Sequence, residues 1–303
     1  NEAGRMMWRA LPYGRLDTVR TAANGASNLV FWLARVVWVL VGVVAPWSAL
    51  SHGRSNEVSV VLNAWGWTGW TAVLVAIMVP SAISLTVVRT VAPLAAVAAV
   101  VDGNVPNTVV AVAAIILLFL PDSVDCLVQG GAYGAETRFL LRTPVPYLVP
   151  AVLVWGMFVG SLVGGTLLLA ARQYAAGVPL AVVGVGLAVL VPRRLHRLAR
   201  RWLVIVPAGI VVHDHMVLAE TMMVRRSQTR ELSVADANGE AADLTGGVFG
   251  RRIIVSMLQA DKVILSPITM RTLGTSEALH VQMFSVAPRR LTAAHAALLS
   301  ERA

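Results

Sequence analysis

From Asn28 to Pro192 apolar residues run in blocks too long for strands, and beyond Trp202 they break into short stretches between turn residues. The first pattern predicts helices of the ~20 apolar residues that cross a bilayer, the second a mostly-β region. Leu29–Leu50, Ala64–Val88 and Val145–Ala171 each read as one span, and Val178–Val191 as a shorter one. Thr90–Leu120 is different. Its stretches Val91–Val101 and Thr108–Leu120 flank Asp102-Gly103-Asn104-Val105-Pro106-Asn107, where glycine, asparagine and proline interrupt a helix. This segment is expected to leave and return to one side, either as a hairpin of two short helices or as a re-entrant loop. The fold class expected is a membrane α-helical bundle of about six segments, followed by a cytosolic mostly-β domain with a C-terminal helix.

Arginine placement orients the bundle. Arg193, Arg194, Arg197, Arg200 and Arg201 fall within nine residues directly after the last apolar run. Such clusters stay on the cytosolic face, where each adds about 1 kcal/mol of attraction to anionic lipid. The expected division is a basic cytosolic segment 1–27 (with Arg5, Arg9, Arg15 and Arg20), a transmembrane domain 28–192, a basic juxtamembrane helix 193–201 and a cytosolic domain 202–303. Arg35 lies two turns inside the first span, within snorkelling reach of its end, and Arg89 is expected to close the second on the cytosolic side. Trp65, Trp67 and Trp70 read as an interfacial belt on the outer side. Both termini are then cytosolic, in a bacterial inner membrane.

Composition sharpens this picture. The chain of 303 residues is 57% hydrophobic and 14% charged, with net charge +9. From Trp202 onward ten Arg and Lys face nine Asp and Glu, so the basicity sits at membrane edges and argues against nucleic-acid binding. Arginine outnumbers the single lysine, Lys262, which suggests a GC-rich bacterial genome. One cysteine, Cys126, excludes an internal disulfide and a cysteine-based metal cluster.

Past the basic cluster, strand-like runs occur at Trp202–Val206, Ile210–His213, Met216–Val224, Arg230–Val234, Arg252–Leu258, Val263–Leu265 and His280–Val286, before a helix over Leu291–Arg302. The entry Arg200-Arg201-Trp202-Leu203-Val204-Ile205-Val206-Pro207-Ala208-Gly209-Ile210-Val211-Val212 resembles the strand–turn–strand start of bacterial pleckstrin-homology-like domains, over about the last hundred residues. That resemblance implies a curved β-sandwich or barrel capped by a helix, and a role in assembly or scaffolding. The whole chain also resembles actinobacterial multi-pass membrane proteins.

Candidate chemistry is sparse. Gly156, Gly160 and Gly164 repeat at every fourth residue, the spacing that lets helices approach closely in lipid, with Gly184 and Ala188 as a partner face. The loop Gly130–Phe139 is the most distinctive piece of the membrane half; Tyr133, Glu136 and Arg138 are its candidate partner contacts, with a Glu136 ion pair that orders the loop as the simpler reading. His213-Asp214-His215 could offer two metal ligands, but no third is nominated and a hairpin turn is simpler. Asp102 is either a proton-path carboxylate or part of a solvated turn. No catalytic, cofactor or metal constellation stands at a usable spacing. The function expected is a non-enzymatic inner-membrane scaffold or accessory subunit for cell-envelope machinery, in contact with membrane lipids and a membrane-protein partner. The alternatives are a transporter or lipid-handling subunit with a path near 90–120, and a membrane-embedded enzyme.

Overall fold

The computed structural model describes residues 13–236, 241–273 and 278–300; Arg5 and Arg9 of the expected basic N-terminal segment lie outside the described residues. An N-terminal helical half precedes a sheet-rich C-terminal half. The helices are α1 (Tyr13–Val44), α2 (Pro46–Ser51), α3 (Asn56–Met78), α4 (Ala82–Val91), α5 (Pro93–Asp102), α6 (Val105–Phe119), α7 (Pro121–Gln129), α8 (Val145–Ala170) and α9 (Tyr174–Ala199). Among the described residues, five stretches are long and apolar enough to cross a membrane: Ser27–Ser51, Asn56–Met78, Ala82–Asp102, Pro146–Ala170 and Tyr174–Ala199. A sixth arises if α6 and α7, bent by 56° at Leu120, count as one.

The second and third spans depart from expectation, and the cause is local. Ser55 caps α3 by accepting from the Val58 N–H, so the helix starts at Asn56 rather than Ala64. It stops at Met78 because Pro80 has no N–H to donate, and Ser81 then caps α4 by accepting from the Ser84 N–H. Arg89 therefore sits in the last turn of α4, inside the span Ala82–Asp102, instead of closing a span. With Pro93 at its first turn, α5 carries the same span on to Asp102. The expected turn is where the sequence placed it. Gly103 takes a left-handed φ of 74°, Asn104 caps α6 by accepting from the Asn107 N–H, and Pro106 stands in the first turn.

The C-terminal half has two four-stranded sheets. The first, ordered β1-β2-β3-β4, is antiparallel throughout: β1 (Thr137–Leu140), β2 (Trp202–Val206), β3 (Gly209–His213) and β4 (Met222–Arg225). The second, ordered β5-β7-β8-β6, is built from β5 (Thr229–Ala235), β6 (Ala242–Asp243), β7 (Arg252–Val263) and β8 (Leu279–Val286), with β6 parallel to β8. A short α10 (Pro267–Leu273) precedes β8, and α11 (Leu291–Ser300) closes the chain's described part. Met216–Val224 shortens to β4 because Asp214–Leu218 forms a turn, and Val263 is the end of β7 rather than a new strand. The two inner faces meet through residues such as Leu203, Ile205, Val255 and Phe284, with Ala294 and Leu298 of α11 against them.

The edge strand β1 comes from the loop between α7 and α8, more than sixty residues before its partner. Thr137 pairs with Ile205 and Leu140 with Trp202. Its far end is also held: the Arg142 N–H donates to Ala287 O at 2.8 Å and the Arg289 N–H to Leu140 O at 2.8 Å. Next to it, β2 is buried on both faces. Leu203 and Ile205 enter the β core, while Trp202 and Val204 pack into the helical core beside Leu127, Val128 and Ala199. The β half is thereby fused to the helices rather than hung from them.

Candidate functional site

Two arrangements stand out, one at the end of the helices that carries the sheets and one at the opposite end.

At the sheet end, α9 finishes at Ala199 and the chain turns through Arg200 into β2. Arg201, expected on the membrane surface with its four neighbours, is instead enclosed: its side chain is 1% exposed and that of its partner Asp214 0%. The Arg201 Nε donates to both Asp214 oxygens at 2.9 Å and Nη2 to Oδ2 at 2.7 Å. Nη1 donates to Arg142 O at 3.0 Å and Nη2 to Thr245 O at 3.1 Å. Asp214 also accepts from the Met216 N–H. One guanidinium thus ties the helix exit, the chain after β1, the β3–β4 turn and the 244–250 loop. A planar fork with five donors can do this; a lysine ammonium cannot.

Arg193, Arg194 and Arg197 remain exposed on α9, and Arg200 is half-buried with its guanidinium 5.9 Å from the Trp202 ring. His213 stacks on Trp202 at 5.6 Å and meets His215 edge-on at 4.3 Å. Burial, with smaller contributions from the neighbouring His215 and Arg200, pushes His213 down to about 4, so it is neutral at pH 7. Among the described residues no group of three His, Cys, Asp or Glu is placed to hold a metal ion.

The glycine-rich loop splits into structural and presented parts. Gly130 lies so near Pro80 that a Cβ would come within 2.6 Å of the Pro80 carbonyl oxygen. Glu136 and Arg138 pair with each other, Glu136 accepts from the Tyr133 N–H, and Gln129 bonds the backbone of both 136 and 138. Arg138 also lies 4.9 Å from the Trp202 ring. Tyr133 alone of the three is presented, at 86% exposure. A second electrostatic seam joins the halves where Arg290 meets Asp122 at 3.3 Å, Asp125 at 3.6 Å and Ser27 at 3.0 Å.

At the opposite end, α1, α2, α3, α5 and α8 form the walls of a half-open cavity of about 630 Å³. Trp38, Trp47, Trp65 and Trp70 line it, and among the described residues Arg54, in the turn before α3, is the one charged residue of its wall. The tryptophans are not a simple interfacial belt. Trp38 and Trp70 each donate an indole N–H to the other's backbone carbonyl, and Trp65 donates to Thr166 Oγ1. Trp67 is the partly exposed member, edge-on to both Trp47 and Trp70.

The Gly156, Gly160 and Gly164 stripe also differs from expectation. A Cβ on Gly156 or Gly160 would meet nothing within 4 Å, and Gly160 and Gly164 line the cavity. The close approach of α8 and α9 uses Gly165, Gly177 and Gly184, where a Cβ would fall within 3 Å of the facing backbone. Asp102 lies in the α5–α6 turn at this end, accepting from Asn107 Nδ2 at 2.9 Å. Comparisons with protein-family models, curated proteins and solved structures found no match to the chain.

Removal of one partner from a buried ion pair costs roughly 3–5 kcal/mol, and an apolar replacement of both restores much of it. In detergent, Arg201→Met should therefore lower the melting temperature strongly, Arg201→Lys should not rescue it, and Arg201→Met with Asp214→Leu should recover part. Arg197→Lys should leave it unchanged. A melt of Arg201→Met that matches Arg197→Lys refutes the clamp.

Proposed function

We propose that this protein is a non-enzymatic scaffold or accessory subunit of a bacterial cytoplasmic membrane, crossing it six times with both ends inside. The observation that carries the reading is β1: a loop between two helices supplies an edge of the sheet and is bonded to the end of β8. A domain that is only tethered has no need of such a strand, whereas a scaffold that must hold its surface in register with membrane partners does. The apolar side chains left open along the helices, among them Leu29, Val43, Leu153 and Val182, suit lipid surroundings. The exposed Arg193, Arg194 and Arg197 support placing the sheet end in the cytoplasm. The β half is read as pleckstrin-homology-like because two packed sheets end in a helix against their core, and Tyr133 is its presented contact for a membrane-protein partner. The turn geometry of Asp102 favours this over a transport path.

Orientation is open to direct labelling. In a Cys126→Ser background, impermeant maleimide added to intact cells should modify Ser55→Cys and spare Tyr133→Cys and Phe249→Cys until the membrane is opened. Modification of Phe249→Cys in sealed cells reverses the assignment.

For the scaffold role, Tyr133→Ala should reduce recovery of the partner on native purification with unchanged yield of folded protein. Asp102→Asn should alter neither recovery nor growth. Loss of function in Asp102→Asn, with the protein still accumulating, replaces the scaffold with a transporter.

A further inference from the structure

The cavity has a volume, a lining and a rim that together specify an occupant. At about 630 Å³ it falls in the range of roughly 300–1,000 Å³ typical of ligand pockets, enough for one long hydrocarbon chain. The lining offers such a chain little but carbon. Gly160 leaves room where a side chain would project, Gly66 lets the Trp47 ring lie against α3, and Ala95 and Ala98 of α5 widen the opposite wall. An apolar cavity half-open to the outside of the helices holds water poorly, and left empty it deprives its lining of dispersion contacts.

The rim supplies a charge. The Arg54 Nε donates to Leu50 O at 3.0 Å, which fixes the guanidinium beside the opening. No carboxylate pairs with it among the described residues, because the neighbouring Glu57 is taken by Arg172 at 2.9 Å. An arginine with free donors above an apolar slot is complementary to a phosphate attached to a hydrocarbon chain.

We propose that the cavity binds one acyl chain of an anionic phospholipid, with the lipid phosphate held by Arg54. This stands apart from the scaffold reading, and either can fail alone. The second acyl chain stays in the bilayer, so the protein takes the lipid laterally, without extracting it. Anionic lipid is favoured over zwitterionic because Arg54 would repel an ammonium head group.

Four of the chain's nine tryptophans line the cavity, so bromine on a bound chain reports directly on occupancy. The full-length protein is reconstituted in phosphatidylcholine vesicles with increasing brominated phosphatidylglycerol, or with brominated phosphatidylcholine as the comparison. The proposal requires a saturable quenching step at low mole fraction for the anionic lipid, above the linear rise from lipid around the helices. Arg54→Gln should move that step to about tenfold higher mole fraction, the loss of one charge-assisted contact. Gly160→Leu, which fills the slot, should abolish it. Gly156→Leu, on the same helix but outside the lining, should leave it intact. Should Gly160→Leu fail to accumulate, Ala98→Leu narrows the cavity from the facing wall and is judged by the same criterion. Linear quenching identical for both lipids, or a step that survives in Gly160→Leu, overturns the site; a step indifferent to Arg54→Gln overturns the phosphate contact.

Discussion

The Arg201–Asp214 pair is the constraint on which the arrangement of the two halves depends. Two charges removed from water are costly, and they are tolerated here because every oxygen and most of the guanidinium donors find partners. Those partners are backbone carbonyls and one backbone amide from separate segments. The pair therefore does more than join α9 to β3: it sets the path of the chain after β1 and of the loop before β7. Replacing it with apolar residues could match its contribution to stability. It would give up the geometric specification that a planar fork imposes on four segments at once.

Around this clamp the fusion of helices and sheets is mainly apolar. Trp202 and Val204 face the helical core and Leu203 and Ile205 the β core, so one strand belongs to both. A polar seam from Arg290 to Asp122 and Asp125 adds direction at the rim of that contact. The cavity lies at the other end, lined by tryptophans and open beside Gly160. Close packing near the sheets and an open interior away from them fit a protein that holds a surface steady on one side of the membrane and accommodates lipid on the other.

Much of the helical half was legible in the sequence because run length decides it. The outer turn at Gly103 and Asn104 was legible too, since left-handed glycine, capping asparagine and proline each have one use there. The break at Pro80 and Ser81 was hidden because a lone proline within an apolar run equally suits a kink. Strand β1 was hidden for another reason: Thr137–Leu140 is short, and its partner is fixed only by the tertiary fold. Arg201 could have been singled out. A turn at Pro207–Gly209 pairs Trp202 with His213, and the next pair outward is Arg201 with Asp214. Five arginines in a run look alike until that register is followed. The glycine stripe signals a face of small residues but does not say whether a helix or a void lies against it.

The loop strand β1 couples the two halves as an integral part of the sheet. Hydrogen exchange of the full chain in lipid nanodiscs tests it at two amides, Leu141, bonded to Arg201 O, and Arg142, bonded to Ala287 O. Both should exchange as slowly as the amides of β2, in one cooperative opening. Exchange at loop rates while β2 stays protected would show that the strand is only laid against the sheet, and would contradict it.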